Sequence, residues 1–105
     1  MLHRLRVARV VRGVFLSLRE KEYVEAAFEY KRVIEDYATS DWVDDACYGL
    51  ALCYCEESHS PEYDQAPSLL AIDAIDDFRT RYPGDSRVSE LDEKRVTMRE
   101  RVAMQ

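Results

Sequence analysis

Cys47, Cys53 and Cys55 crowd into nine residues of a chain with only two histidines, His3 and His59. Thiols and imidazoles at close spacing are the side chains from which zinc sites are built. Here the spacing does not supply that chemistry. A structural zinc site needs a second ligand pair, and neither histidine stands at a recognised distance from the cysteines. Residues two apart on a helix point in different directions, so Cys53 and Cys55 cannot easily bridge. The three are expected to be small core residues, with no metal and no cofactor. The nearest acid–base constellation is His59 with Glu56, Glu57 and Glu62, but catalysis would also demand a pocket that a loop alone does not form. There is no glycine-rich phosphate loop and no nucleophile elbow. The chain reads as a non-enzyme, and its function is sought in surfaces.

The elements that present those surfaces follow from composition and periodicity. The 105 residues are 47% hydrophobic, with three glycines and three prolines. No segment alternates as a strand would, which points to one all-α domain. The net charge of −6 hides an asymmetry. Arg4, Arg6, Arg9, Arg12 and Arg19 precede every acid, whereas no lysine or arginine occurs between Arg32 and Arg79. That acidic surface would repel nucleic acid. It either solvates helix faces or docks a basic partner. The basic start lacks the uninterrupted apolar run and cleavage site of a signal peptide. No stretch is apolar enough to span a membrane.

Five helices are expected. Leu2, Leu5, Val7, Val10, Val11, Val14, Phe15 and Leu18 mark the first, to about Leu18, its polar face almost purely arginine. Such a face suits an anionic membrane surface, or a repeat helix packed on its neighbour. The second runs from about Glu22 to Tyr37 and buries Ala26, Ala27, Tyr30, Val33 and Ile34. Thr39-Ser40-Asp41 offers a cap for the third, with Asp44 and Asp45 in its first turn, and the third continues to about Glu56. After a loop, the fourth begins near Pro67 and carries Leu70, Ala71, Ala74, Ile75 and Phe78 until Pro83-Gly84 stops it. Asp85 and Ser86 cap the fifth, whose apolar stripe of Val88, Leu91, Val96, Met98 and Val102 is expected to lack a following helix. That stripe makes a homodimer through the last helix an expectation.

A period underlies these helices. Ala26, Tyr30, Val33, Tyr37 and Ala38 map in order onto Ala71, Ile75, Phe78, Tyr82 and Pro83, 45 residues on. Self-similarity over tens of residues marks stacked helical hairpins, which bind other polypeptides. The pattern is that of a tetratricopeptide-like α-α superhelix: repeat one over about 4–38, repeat two over about 41–83, and the first helix of a third over 86–103. In the second copy Leu50, Ala51 and Tyr54 stand where leucine, glycine and tyrosine are usual. The first copy is supported by Gly13, Tyr23, Ala26, Tyr30 and Val33, with Val14 and Ala38 as departures. A longer repeat of the HEAT kind also suits a 45-residue period.

Within this pattern, the helix from Ala46 to Tyr54, the lengthened loop with Asp64-Gln65, and the run Tyr82-Pro83-Gly84-Asp85-Ser86 together resemble the BamD (YfiO or ComL) family of outer-membrane assembly lipoproteins. The resemblance covers roughly Tyr23 to Ala103. It implies a scaffold on the periplasmic side of the outer membrane that holds assembly subunits or unfolded outer-membrane protein segments. The family's lipidated cysteine and later repeats have no counterpart here. The alternative is a cytoplasmic adaptor that binds a peptide or chaperone tail.

In such arrays the first helix of each pair lines a concave groove. Val11, Phe15, Leu18 and Arg19 are expected on its first stretch, and Asp45, Tyr48, Leu52, Cys55 and Glu56 on its second. Phe15, Tyr48 and Leu52 would form apolar pockets, Arg19 would take a carboxylate, and Asp45 or Glu56 a basic side chain. Phe15 and Leu52 suit equally a role buried against the next helix. Asp64 and Gln65 are expected to cap the fourth helix, with partner contact as the alternative.

Overall fold

The computed structural model describes residues 23–57 and 66–103. Every regular element among them is an α-helix: α1 (Tyr23–Asp36), α2 (Val43–Glu57), α3 (Ala66–Arg81) and α4 (Val88–Ala103). The fold class is all-α. The expected first helix, and with it Val11, Phe15, Leu18 and Arg19, lies outside the described residues, as do Asp64 and Gln65. Packing runs in chain order, α1 on α2, α2 on α3 and α3 on α4, with α2 also meeting α4. Short turns join α1 to α2 and α3 to α4, and helices packed as sequential neighbours are the arrangement of tetratricopeptide-like hairpins.

Helix α2 occupies the centre because its surface is apolar or small nearly all round. Val43, Ala46, Cys47, Gly49, Ala51, Cys53, Tyr54 and Cys55 are all buried. Small side chains let the neighbours close in. At Gly49 the Tyr30 ring of α1 lies directly against the backbone, so that a Cβ there would fall 2.2 Å from Tyr30 Cζ. Cys47, Cys53 and Cys55 are free thiols within this core. Cys55 therefore faces the interior and not the groove expected of it.

The other helices bury narrower stripes. In α1 these are Ala26, Ala27, Tyr30 and Val33, with Ile34 packed at the edge. In α3, Ser68, Ala71, Ile75 and Phe78 are spaced three, four and three apart and share one face. That phase rotates Leu70 outward, leaving it 43% exposed. In α4 the stripe is Val88, Leu91 and Met98, all in the core or against it. Arg95 occupies the stripe position between Leu91 and Met98, so Val96, one step round the helix, is 58% exposed. Of the stripe expected to await a second copy, Val88, Leu91 and Met98 are used against the chain's own helices.

The 45-residue period reappears in the backbone. At the α1–α2 junction the N–H groups of Tyr37, Ser40, Val43 and Ala46 donate to the carbonyls of Val33, Tyr37, Ser40 and Trp42, at 3.0, 2.8, 3.3 and 3.0 Å. At the α3–α4 junction the N–H groups of Tyr82, Asp85, Val88 and Leu91 donate to Phe78, Tyr82, Asp85 and Arg87, at 2.8, 3.1, 3.1 and 3.1 Å. Side chains repeat the pattern. The Trp42 N–H donates to Ser40 Oγ at 3.2 Å and the Arg87 N–H to Asp85 Oδ1 at 2.9 Å. Each junction is the same tight turn, closed by a short oxygen-bearing side chain that accepts an N–H two residues on.

Candidate functional site

Two of the expected groove residues, Asp45 and Tyr48, lie on the side of α2 that meets α4 and the turn before it, and Leu52 follows one turn on in α2. They are half-buried, and Glu56 one turn further is exposed. What fills the space beside them is Arg87. Its Nη1 donates to Asp45 Oδ1 at 2.8 Å and its Nη2 to Asp44 Oδ2 at 3.3 Å. The same guanidinium grips Asp85 with a two-pronged pair, Nε to Oδ1 at 3.0 Å and Nη2 to Oδ2 at 2.9 Å. It also lies 4.9 Å from the Tyr48 ring centre and 5.4 Å from that of Phe78. At those distances the ring faces attract the cation.

The sequence dictates this assembly locally. Asp85 closes the turn into α4, which fixes the backbone of Arg87, and the turn aims the side chain at the first turn of α2. Asp44 and Asp45 are placed there for a second reason, since negative charge is favoured at a helix N-terminus. Three carboxylates around one guanidinium use its fork geometry fully. The hydrogen bonds from the Arg87 side chain and backbone pull Asp85 down to about 2 and, in turn, Asp85 raises Arg87 above its ordinary value.

Tyr48 completes the cluster. Its hydroxyl lies between the two oxygens of Glu90, at 2.9 and 2.8 Å, and its ring is tilted 56° to that of Phe78 at 6.2 Å. Burial first, and then the hydrogen bond to Glu90, push the phenol up to about 12. It therefore stays a neutral donor over the whole physiological range. Elsewhere, Arg79 pairs with Asp92 at 3.0 Å and Arg95 with Asp76 at 2.7 Å, tying α3 to α4. The hydrogen bond from Arg95 holds Asp76 below the usual carboxylate range.

Asp45, expected to take a basic side chain from a partner, thus takes one from the turn that leads into α4. Sequence reasoning missed Arg87, Phe78 and Glu90 as members of this cluster. The signal was present, because Arg87 stands 45 residues after Trp42, and Asp44 and Asp45 have no basic residue on their own helix to answer them. The thiols of α2 offer no nucleophile: burial pushes Cys47 and Cys55 up to about 11 and Cys53 to about 12. Among the described residues no group of three or more His, Cys, Asp or Glu side chains is disposed to hold a metal. None of the described helices is long and apolar enough to cross a membrane.

What the geometry defines is a class, stacked helical hairpins with a polar seam between the first helices of successive pairs. Comparison with family models, curated proteins and solved structures finds no match.

Proposed function

We propose that this chain is a protein-binding scaffold of the helical-repeat kind and performs no catalysis. The observation that carries the reading is the doubled junction, two turns with the same backbone and side-chain hydrogen bonds 45 residues apart. A chain that stacks one hairpin unit on the next builds an extended surface, and such surfaces bind polypeptides. The exposed edge of α2 at Glu56 and the half-buried Leu52 beside it offer a charged rim and an apolar contact for an extended or helical segment. The finer reading rests on the resemblance of residues 23–103 to the BamD family. On it, the partners are outer-membrane assembly subunits or outer-membrane protein segments, met on the periplasmic side.

The test is retention from a bacterial envelope extract on the immobilised chain, with Glu56→Lys and Leu52→Asp variants alongside and circular dichroism to check their folding. Recovery of outer-membrane assembly subunits, reduced at least several-fold by folded variants, supports the finer reading. Retention of soluble cytoplasmic proteins alone, with the same dependence on the variants, replaces it with a cytoplasmic adaptor. Equal retention by wild type and folded variants removes this edge of α2 from the binding surface.

A further inference from the structure

Helix α4 is attached differently from the others. Helix α2 buries eight residues, whereas α4 buries only Leu91 and Met98 completely. Val88 packs against the core beside them, and much of the remaining attachment is polar and half exposed. Arg87, at its start, reaches Asp44 and Asp45 of α2, and Glu90 accepts from Tyr48 of α2. Asp92 and Arg95 pair with Arg79 and Asp76 of α3. A helix held by few apolar contacts and several solvent-accessible ion pairs belongs at the low end of local stability. The ion pairs are weakened by salt, which does not weaken apolar burial.

We propose that α4 is a latched strap: it opens from α2 and α3 as one unit when the Arg87 cluster releases, and opening lays bare the Tyr48 and Phe78 rings. The geometry makes Arg87 the latch. One side chain joins the turn before α4, through Asp85, to the first turn of α2, through Asp44 and Asp45, and covers both rings at the same time. Without it, both rings lose the guanidinium that lies over them, and the Tyr48 hydroxyl contact to Glu90 remains across the seam. That the uncovered rings receive a polypeptide rests on the scaffold reading. The opening does not, and it is measured with no partner present.

The experiment is native-state amide hydrogen exchange on the whole chain. It is run at about 0.05 M and about 1 M sodium chloride, the latter shortening the screening length to about 3 Å. Arg87→Gln is compared with Arg81→Gln, whose salt bridge to Asp77 stays within α3. A strap gives one shared rate for amides 91–98, about tenfold or more above that of amides 46–55 in α2, as expected of a separately opening unit. High salt and Arg87→Gln each raise the shared rate by about tenfold, the effect of losing a charged hydrogen bond, while Arg81→Gln leaves it unchanged. Simple fraying would instead give rates graded inward from residue 103 and indifferent to Arg87, and that result overturns the proposal. Equal protection of α4 and α2 overturns it as well. If Arg87→Gln does not fold, the salt dependence of the wild-type chain decides alone.

Discussion

At Gly49 an added methyl group would sit 2.2 Å from Tyr30 Cζ, and the Tyr30 ring is wholly buried and has no room to retreat. Two effects oppose each other in Gly49→Ala. Helix propensity favours alanine by about 1 kcal/mol, while forcing a methyl into a filled core costs about 1–3 kcal/mol. A clash this deep lies at the upper end, so the variant is expected to lose about 1–2 kcal/mol, seen as a lower urea midpoint with an unchanged slope. A gain in stability would show that the ring does not lie on the glycine. The cysteines within two turns of it on the same helix make a second expectation at the same scale. With burial holding Cys47 and Cys55 near 11 and Cys53 near 12, none carries appreciable thiolate at pH 8. A chromogenic disulfide reagent should therefore modify all three slowly in the native chain and rapidly in denaturant. Fast modification of any one under native conditions contradicts its burial.

The two junctions, alike in backbone, differ in what their capping side chains hold, and this sets their stability apart. Ser40 Oγ accepts one N–H, from Trp42, so Ser40→Ala should cost about 1 kcal/mol. Asp85 accepts the Arg87 N–H and also carries the guanidinium that binds α2, so Asp85→Ala should cost clearly more, about 2–3 kcal/mol. If the two variants unfold at the same denaturant concentration, the Arg87 cluster contributes nothing to stability. The cluster also has a pH signature. Asp85 is depressed from 3.8 to about 2 in the folded chain, so its contribution is fully present above about pH 4 and is lost as pH falls through about 2. Acid titration of the urea midpoint should show a fall in that window that is smaller in Asp85→Asn, the remainder including Asp76, which Arg95 also holds low. The elements themselves were legible. Ser40, Pro67, Pro83-Gly84 and Asp85 marked starts and stops, and the 3–4 spacing of Ala26, Tyr30 and Val33 gave the phase of α1. Helix α4 was less so, because its stripe contains Arg95 where a simple apolar count places Val96 inward. The Arg87 cluster escaped because it joins residues more than 40 positions apart, a distance at which periodicity identifies equivalent positions but not who touches whom.

Across the whole molecule, packing passes from each helix to the next, α1 to α2 to α3 to α4, with α2 touching α4 at the Tyr48–Glu90 seam. In a stack of this kind stability is close to a sum of units and nearest-neighbour interfaces. Substitutions at opposite ends should then be independent. Val33 in α1 and Met98 in α4 are both 2% exposed, and they sit on helices that α2 separates. Met98→Ala is expected to cost about 2–5 kcal/mol for the cavity it leaves. The double variant with Val33→Ala should equal the two single losses added, within about 0.5 kcal/mol. Tyr48→Phe with Glu90→Gln, across the hydrogen-bonded seam, should couple by about 0.5–1.5 kcal/mol. A core in which the two ends shared packing would behave otherwise, since removing volume at one end would then loosen the other. Coupling between Val33 and Met98 as large as that across the seam would therefore remove the stacked-hairpin account, and with it the reason for seeking this chain's function on an extended surface.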